Sequence, residues 1–186
     1  MGRRERARPN GYSAYAPNMD LLVVRHAIAE DREAFAKSGK DDAERPLTQT
    51  GRKKFQQGAR GLRRLLSSID LVATSPHVRA RQTADILVKA FRLREAVHLS
   101  ALLPEADPAA LLSFLHRQRR KSLIAVVGHE PHLSKLVAFL LAGRRESFTD
   151  IKKGGACLIA LGEEAKPGRA ELRWLSTAAQ LRRLGG

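Results

Sequence analysis

Three short apolar runs constrain the fold of this chain more than any other feature. Leu21-Leu22-Val23-Val24, Asp70 to Thr74 (DLVAT) and Ser122 to Val127 (SLIAVV) are continuous rather than alternating, the pattern of strands covered on both faces. Between them lie segments with helical periodicity. Leu47, Gly51, Phe55, Gly58/Ala59, Leu62 and Leu65/Leu66 recur every three or four residues and predict a helix over about 48–66, since that spacing gathers apolar side chains on one face. A second helix over about 78–91 turns Ala80, Thr83, Ala84, Leu87 and Phe91 inward. Asp107-Pro108 reads as a cap and first turn, predicting a third helix to about residue 120, because Asp satisfies a free N–H there and Pro lacks one. A fourth runs from His132 to Ala142 and stops at Gly143. Val97 to Leu99 is a candidate brief strand, Cys157 to Leu161 a further strand, and Glu171 to Leu175 its hairpin partner. The stretch from Ile28 to Pro46 reads as a polar, charged loop. Strands alternating with helices imply an α/β sandwich with a mostly parallel central sheet flanked by helices.

The residues just past each strand carry the chemistry. The first run exits into Arg25-His26, the second into Ser75-Pro76 with Arg79 one turn later, the third into Gly128-His129. In a parallel sheet these exits share the carboxyl edge, where open α/β folds place ligands. Two histidines and two arginines therefore converge although far apart in sequence, and Arg45, ahead of the first long helix, can reach in beside them. Such a set suits binding and transfer of a phosphoryl group, because guanidinium forks match its oxygens and its charge.

Charge and composition narrow the classes. The 186 residues carry 34 Lys+Arg against 19 Asp+Glu, a net +15, which favours anionic partners. Arg3, Arg4, Arg6 and Arg8 sit in a Pro/Gly-broken opening segment, so residues 1–18 read as a flexible basic tail and 19–186 as a single domain. No apolar run approaches a membrane span and no signal peptide is visible. Cys157, the single cysteine, excludes an internal disulfide and a Cys-rich zinc module. The reading is a cytoplasmic chain, a monomer, with no membrane partner. Paired arginines at 63-64, 119-120, 144-145 and 182-183 raise nucleic-acid binding. Both tyrosines lie in the tail, however, and Phe55, Phe91, Phe114 and Phe139 fall on helix core faces. That leaves no aromatic platform for bases, and no specific nucleic-acid partner is expected. His129 and His132 are three apart across Pro131, not the i, i+4 pair of a helical zinc site, so no metal and no cofactor is expected. His77, His98, His116 and His132 are assigned to surface or packing. Cys157, in an apolar strand, is assigned to inert core.

The motifs resemble a known family. Arg25-His26-Ala27, Arg45-Pro46-Leu47-Thr48 with Gly51, Ser75-Pro76-x-x-Arg79-Ala80-x-Gln82-Thr83, Leu103-Pro104-Glu105 and Val127-Gly128-His129 come one after another in the order of the histidine phosphatase (phosphoglycerate-mutase-like) superfamily. They look like its SixA-type phosphohistidine phosphatase branch, over about residues 20–175. The resemblance implies a phosphoglycerate-mutase-like three-layer sandwich and a metal-independent phosphatase acting through a covalent phosphohistidine on His26. A mutase is disfavoured, since the long insertions of mutases are missing. Arg25, Arg79 and His129 would then be catalytic and, with Arg45 and Ser75, bind the phosphoryl group. Arg25 and Arg79 would keep the His26 imidazole neutral. Glu105 stands where the superfamily often carries its general acid, with Glu30 or Asp31 as alternatives. Ala27 departs from the usual glycine. The implied substrate is a phosphohistidine on a protein or, alternatively, a small phosphate ester such as a sugar phosphate or nucleotide.

Overall fold

The computed structural model describes residues 19–162 and 164–186; the basic tail expected over 1–18 lies outside them. A six-stranded sheet has the order β3-β2-β4-β1-β5-β6. The strands are β1 (Asp20–Arg25), β2 (Leu71–Thr74), β3 (Val97–His98), β4 (Leu123–Gly128), β5 (Ala156–Ala160) and β6 (Glu171–Ser176). β4 pairs in parallel with both β1 and β2, and β2 in parallel with β3. β5 runs antiparallel between β1 and β6.

The continuous apolar runs are explained by two cores, one on each face. Leu22 and Val24 of β1 and Ala125 and Val127 of β4 face a cluster with Phe55, Ala59, Leu62, Ala84, Leu87 and Leu181. Leu21, Val23, Ile124 and Val126 face the opposite cluster, with Leu111, Leu115, Leu133, Leu136 and Leu140. The first face is covered by α2 (Gln49–Leu65), α3 (Val78–Ala90) and α6 (Ala178–Leu184), the second by α4 (Ala110–Arg117) and α5 (His132–Ala142). Cys157 of β5 is buried in the second core, and burial pushes its thiol pKa up to about 12.

Most expected elements agree within a residue or two, and three differ. The loop from 28 to 46 holds a short helix, α1 (Arg32–Ala36), capped by Asp31, and a 3₁₀ turn, Asp42–Glu44, capped by Asp41. Neither buries an apolar stripe that periodicity could reveal. The third helix starts later than Asp107-Pro108 implied. Asp107 caps the N–H of Ala109 at 2.9 Å, and 3₁₀-like bonds precede α4. The helix α6 opens on a Thr177/Gln180 capping box and has no counterpart among the elements expected from sequence. Among the described residues no helix is long and apolar enough to cross a membrane.

Candidate active site at the carboxyl edge

The central strands β2, β4 and β1 end together, and ladder bonds continue past their ends. The N–H of His26 donates to Gly128 O at 3.0 Å and that of Ser75 to Val127 O at 2.9 Å. These bonds fix three strand exits in mutual register. The imidazoles of His26 and His129 consequently lie 5.1 Å apart, centroid to centroid. Both are buried, as are Arg45, Ser75 and Arg79. Thr83 of α3 ties the exits together: its hydroxyl accepts from Ala27 N–H at 3.1 Å and donates to Arg79 O at 2.7 Å. Two helices, α3 and α5, begin immediately after these strand exits, and helix N-termini favour anions.

Hydrogen bonding assigns the His26 tautomer. Nδ1 lies 2.8 Å from the Ala27 carbonyl, which can only accept. Nδ1 therefore carries the proton and Nε2 keeps its lone pair. Burial pushes the His26 pKa down to about 3; the Ala27 bond opposes this, and Arg79, Arg25 and Arg45 add to the lowering. The arginines act in the direction expected from sequence, and exclusion from water is the larger cause, which the sequence did not reveal. His129 is held lower still, at about 2, first by burial and then by His26, Arg79 and His77. Its Nε2 meets the Ser75 hydroxyl at 2.9 Å.

The guanidiniums are anchored at their outer ends. Arg25 donates from NH1 to Ile151 O at 2.8 Å and approaches Asp150 at 3.4 Å. Arg79 donates to the Asp42 carbonyl at 2.7 Å and pairs with its carboxylate at 3.1 Å. Arg45 binds the same carboxylate at 2.7 Å and Glu30 O at 2.7 Å. By contrast Arg25 Nε, Arg79 Nε and His129 Nδ1 are buried without a hydrogen-bond partner. Buried polar atoms are rarely left so. The two Nε–H groups donate outright, and His129 Nδ1 donates in the tautomer whose Nε2 accepts from the Ser75 hydroxyl, so these are groups that an oxyanion would satisfy. No cluster of three or more His, Cys, Asp or Glu suited to a metal occurs among the described residues.

The acid candidates are less well placed. Glu105 is exposed in the turn before α4, and its carboxylate opposes, without outweighing, the burial that lowers the pKa of His77 and of His132. The Asp31 carboxylate is occupied in capping α1, at 2.9 Å from Ala34 N. The Glu30 side chain is exposed.

Two residues at the site were missed in the sequence. His77, assigned to surface or packing, has its ring 4.9 Å from that of His129, and its Nδ1 accepts from Arg79 at 3.1 Å. It lies between Ser75 and Arg79 and shares their strand exit, which is the signal that could have found it. Asp42 joins Arg79 and Arg45, and its only sequence signal is an acidic residue three before Arg45. Burial raises its carboxyl pKa, but the Arg45 bond and the charges of Arg79, Arg45 and Arg32 outweigh that and hold it below the usual carboxylate range.

With this geometry in place, the comparisons with known proteins are decisive. The model of the histidine phosphatase superfamily (branch 1) matches residues 21–114. The chain belongs to that superfamily. This histidine phosphatase is 32% identical over 139 residues to an uncharacterised protein of Picosynechococcus sp., covering 74% of this chain and 82% of that one. The structure of the protein histidine phosphatase SixA complexed with tungstate superposes with a TM-score of 0.75 at 25% identity, over 88% of this chain and 99% of SixA. The alpha-ribazole phosphatase of Shigella flexneri shares the fold, with a TM-score of 0.65 at 20% identity over 86% of this chain and 97% of that one. The fold is thus phosphoglycerate-mutase-like, and the enzyme is a phosphatase.

Proposed function

We propose that this histidine phosphatase hydrolyses phosphohistidine on proteins through a phosphoryl intermediate on His26. The observation that carries the reading is the His26 tautomer: a buried, neutral imidazole with Nδ1 tied to Ala27 and Nε2 free to attack. Nε2 forms the bond to phosphorus while the substrate's P–N bond breaks and its electron pair stays on the departing imidazole. Where the distal nitrogen of that imidazole is protonated, it leaves neutral without an external acid. Water then attacks phosphorus, the P–Nε2 bond breaks, its proton passes to solvent, and phosphate departs. His26 keeps its Nδ1 proton throughout. Arg25, Arg79 and His129 bind the phosphoryl oxygens, with Arg45 and Ser75 supporting Arg79 and His129. Each such donor is worth about 2.7–4 kcal/mol in comparable sites. The guanidiniums provide the positive charge, and no metal is required.

The substrate class rests on the likeness to SixA and on the exposed position of Glu105. A P–N bond tolerates a loosely held acid better than an alkyl phosphate does. His26→Ala should abolish turnover with the fold intact, and rapid quench with labelled substrate should place phosphate on His26 of the native enzyme. A fully active His26→Ala enzyme would sink the mechanism. In a panel of phosphohistidine protein, phosphohistidine peptide, sugar phosphates and nucleotides, with EDTA present, the phosphohistidine protein should show the highest kcat/KM. A higher value for a small ester would move the assignment to that substrate.

A further inference from the structure

Three of the five N–H donors of Arg79 are already committed. Its NH1 donates to the Asp42 carbonyl at 2.7 Å. Its NH2 meets both the Asp42 carboxylate at 3.1 Å and His77 Nδ1 at 3.1 Å. A terminal guanidinium nitrogen carries two hydrogens, so NH2 is fully engaged. Nε is then the one guanidinium nitrogen that is buried and without any partner, although NH1 keeps a second hydrogen. The same Asp42 carboxylate receives Arg45 Nε at 2.7 Å and faces Arg32 at 3.6 Å. Arg45 and Arg79 are both buried, and two buried like charges repel unless an anion lies between them.

We propose that Asp42 is the positioning residue of the phosphoryl clamp. It holds Arg79 by both its carbonyl and its carboxylate, with Nε as the donor presented to the substrate, and it neutralises the Arg45–Arg79 pair. The proposal rests on the phosphoryl site described above, but not on which phosphorylated compound fills it. A carboxylate beside an anion site has two opposite possible effects. If Asp42 competed with the ligand for Arg79, its removal would tighten oxyanion binding. If Asp42 aims Arg79, its removal loosens oxyanion binding, because the guanidinium turns to find other acceptors.

The sign of that change is the test. Tungstate binding is measured by calorimetry, which needs no turnover and no particular substrate. Asp42→Asn, nearly isosteric, should weaken tungstate about tenfold and lower kcat/KM for phosphoramidate by about 10- to 100-fold. Asp42→Glu should recover part of both losses. In an Arg79→Ala background, adding Asp42→Asn should change tungstate affinity less than about twofold, since contacting residues couple and independent ones add. Tighter tungstate binding by Asp42→Asn would overturn the proposal in favour of competition. An undiminished loss in the Arg79→Ala background would overturn it in favour of a general structural role. A phosphatase that prefers esters in the substrate panel would remove the phosphohistidine assignment and leave these measurements meaningful.

Discussion

Three imidazoles at the carboxyl edge, His26, His129 and His132, are buried, and their pKa values are held at about 3, 2 and 4. In the unfolded chain each titrates near 6.5. As pH falls below that value the unfolded state takes up protons that the folded state refuses, so stability is full above about pH 7 and declines from 6.5 towards the folded value of each ring, about 4 for His132, 3 for His26 and 2 for His129. The slope should approach about 1.4 kcal/mol per pH unit for each histidine. Urea unfolding at pH 7, 6 and 5 measures it, and a flat profile would contradict the burial of these rings. His132 isolates one contribution. Both its ring nitrogens are buried without partners, whereas His26 and His129 each engage one ring nitrogen. His132→Leu should therefore flatten the slope by about one proton's worth and raise stability at pH 5 by about 1–2 kcal/mol.

The helix pair α2–α6 adds close backbone contact to the packing of Leu181 in the first core. A Cβ at Gly61 would collide with the Leu181 carbonyl, and one at Gly185 with the Gln57 carbonyl. Neither neighbour can yield as a flexible side chain would. Gly61→Ala should cost about 1–3 kcal/mol and lower the thermal midpoint by several degrees. Gly51 lies on the same helix, but a Cβ there would strike the carbonyl of Ile28, two residues after His26. Gly51→Ala should therefore depress kcat/KM as well as stability, whereas Gly61→Ala should spare kcat/KM of the folded fraction. Calorimetric scans beside kinetics separate the two. This helix also shows why some elements are legible in sequence and others not. The stripe of α2 is long and regular, and its expected span of about 48–66 lies within a residue of the observed one. α1 buries no residue at all, and α6 buries one, Leu181, so neither leaves a periodic signal. Asp107 satisfies an N–H as a capping residue should, but it closes a turn before α4 and not its first turn.

Across the whole molecule, the strand exits are readable because a strand apolar on both faces must lie centrally, and central parallel strands end at one edge. His26, His129 and Arg79 follow from that logic alone. Asp42 does not, because a tertiary contact brings it from a 3₁₀ turn. The net charge of +15 is visible too, but not its placement. α2 carries six cations and α6 two, with no acidic residue in either helix, and among the described residues none of these cations joins an ion pair. Such a layer attracts acidic surfaces and is screened by salt. Raising ionic strength from about 0.01 M to about 0.15 M should lower kcat/KM for an acidic phosphoprotein several-fold. It should affect a small phosphoryl donor far less, and equal losses would show that screening acts within the clamp.

Cys157 has a practical consequence at the same scale. It is the single thiol of the chain, enclosed in the second core with a pKa of about 12. Thiolate, not thiol, reacts, so a labelling reagent must wait until β5 leaves the sheet. β5 is hydrogen-bonded on both edges, to β1 and to β6, and its release requires much of the domain to open. The native chain thus contains its own clock for unfolding: the rate at which one cysteine is modified, under conditions where the enzyme is otherwise folded and active, counts the openings.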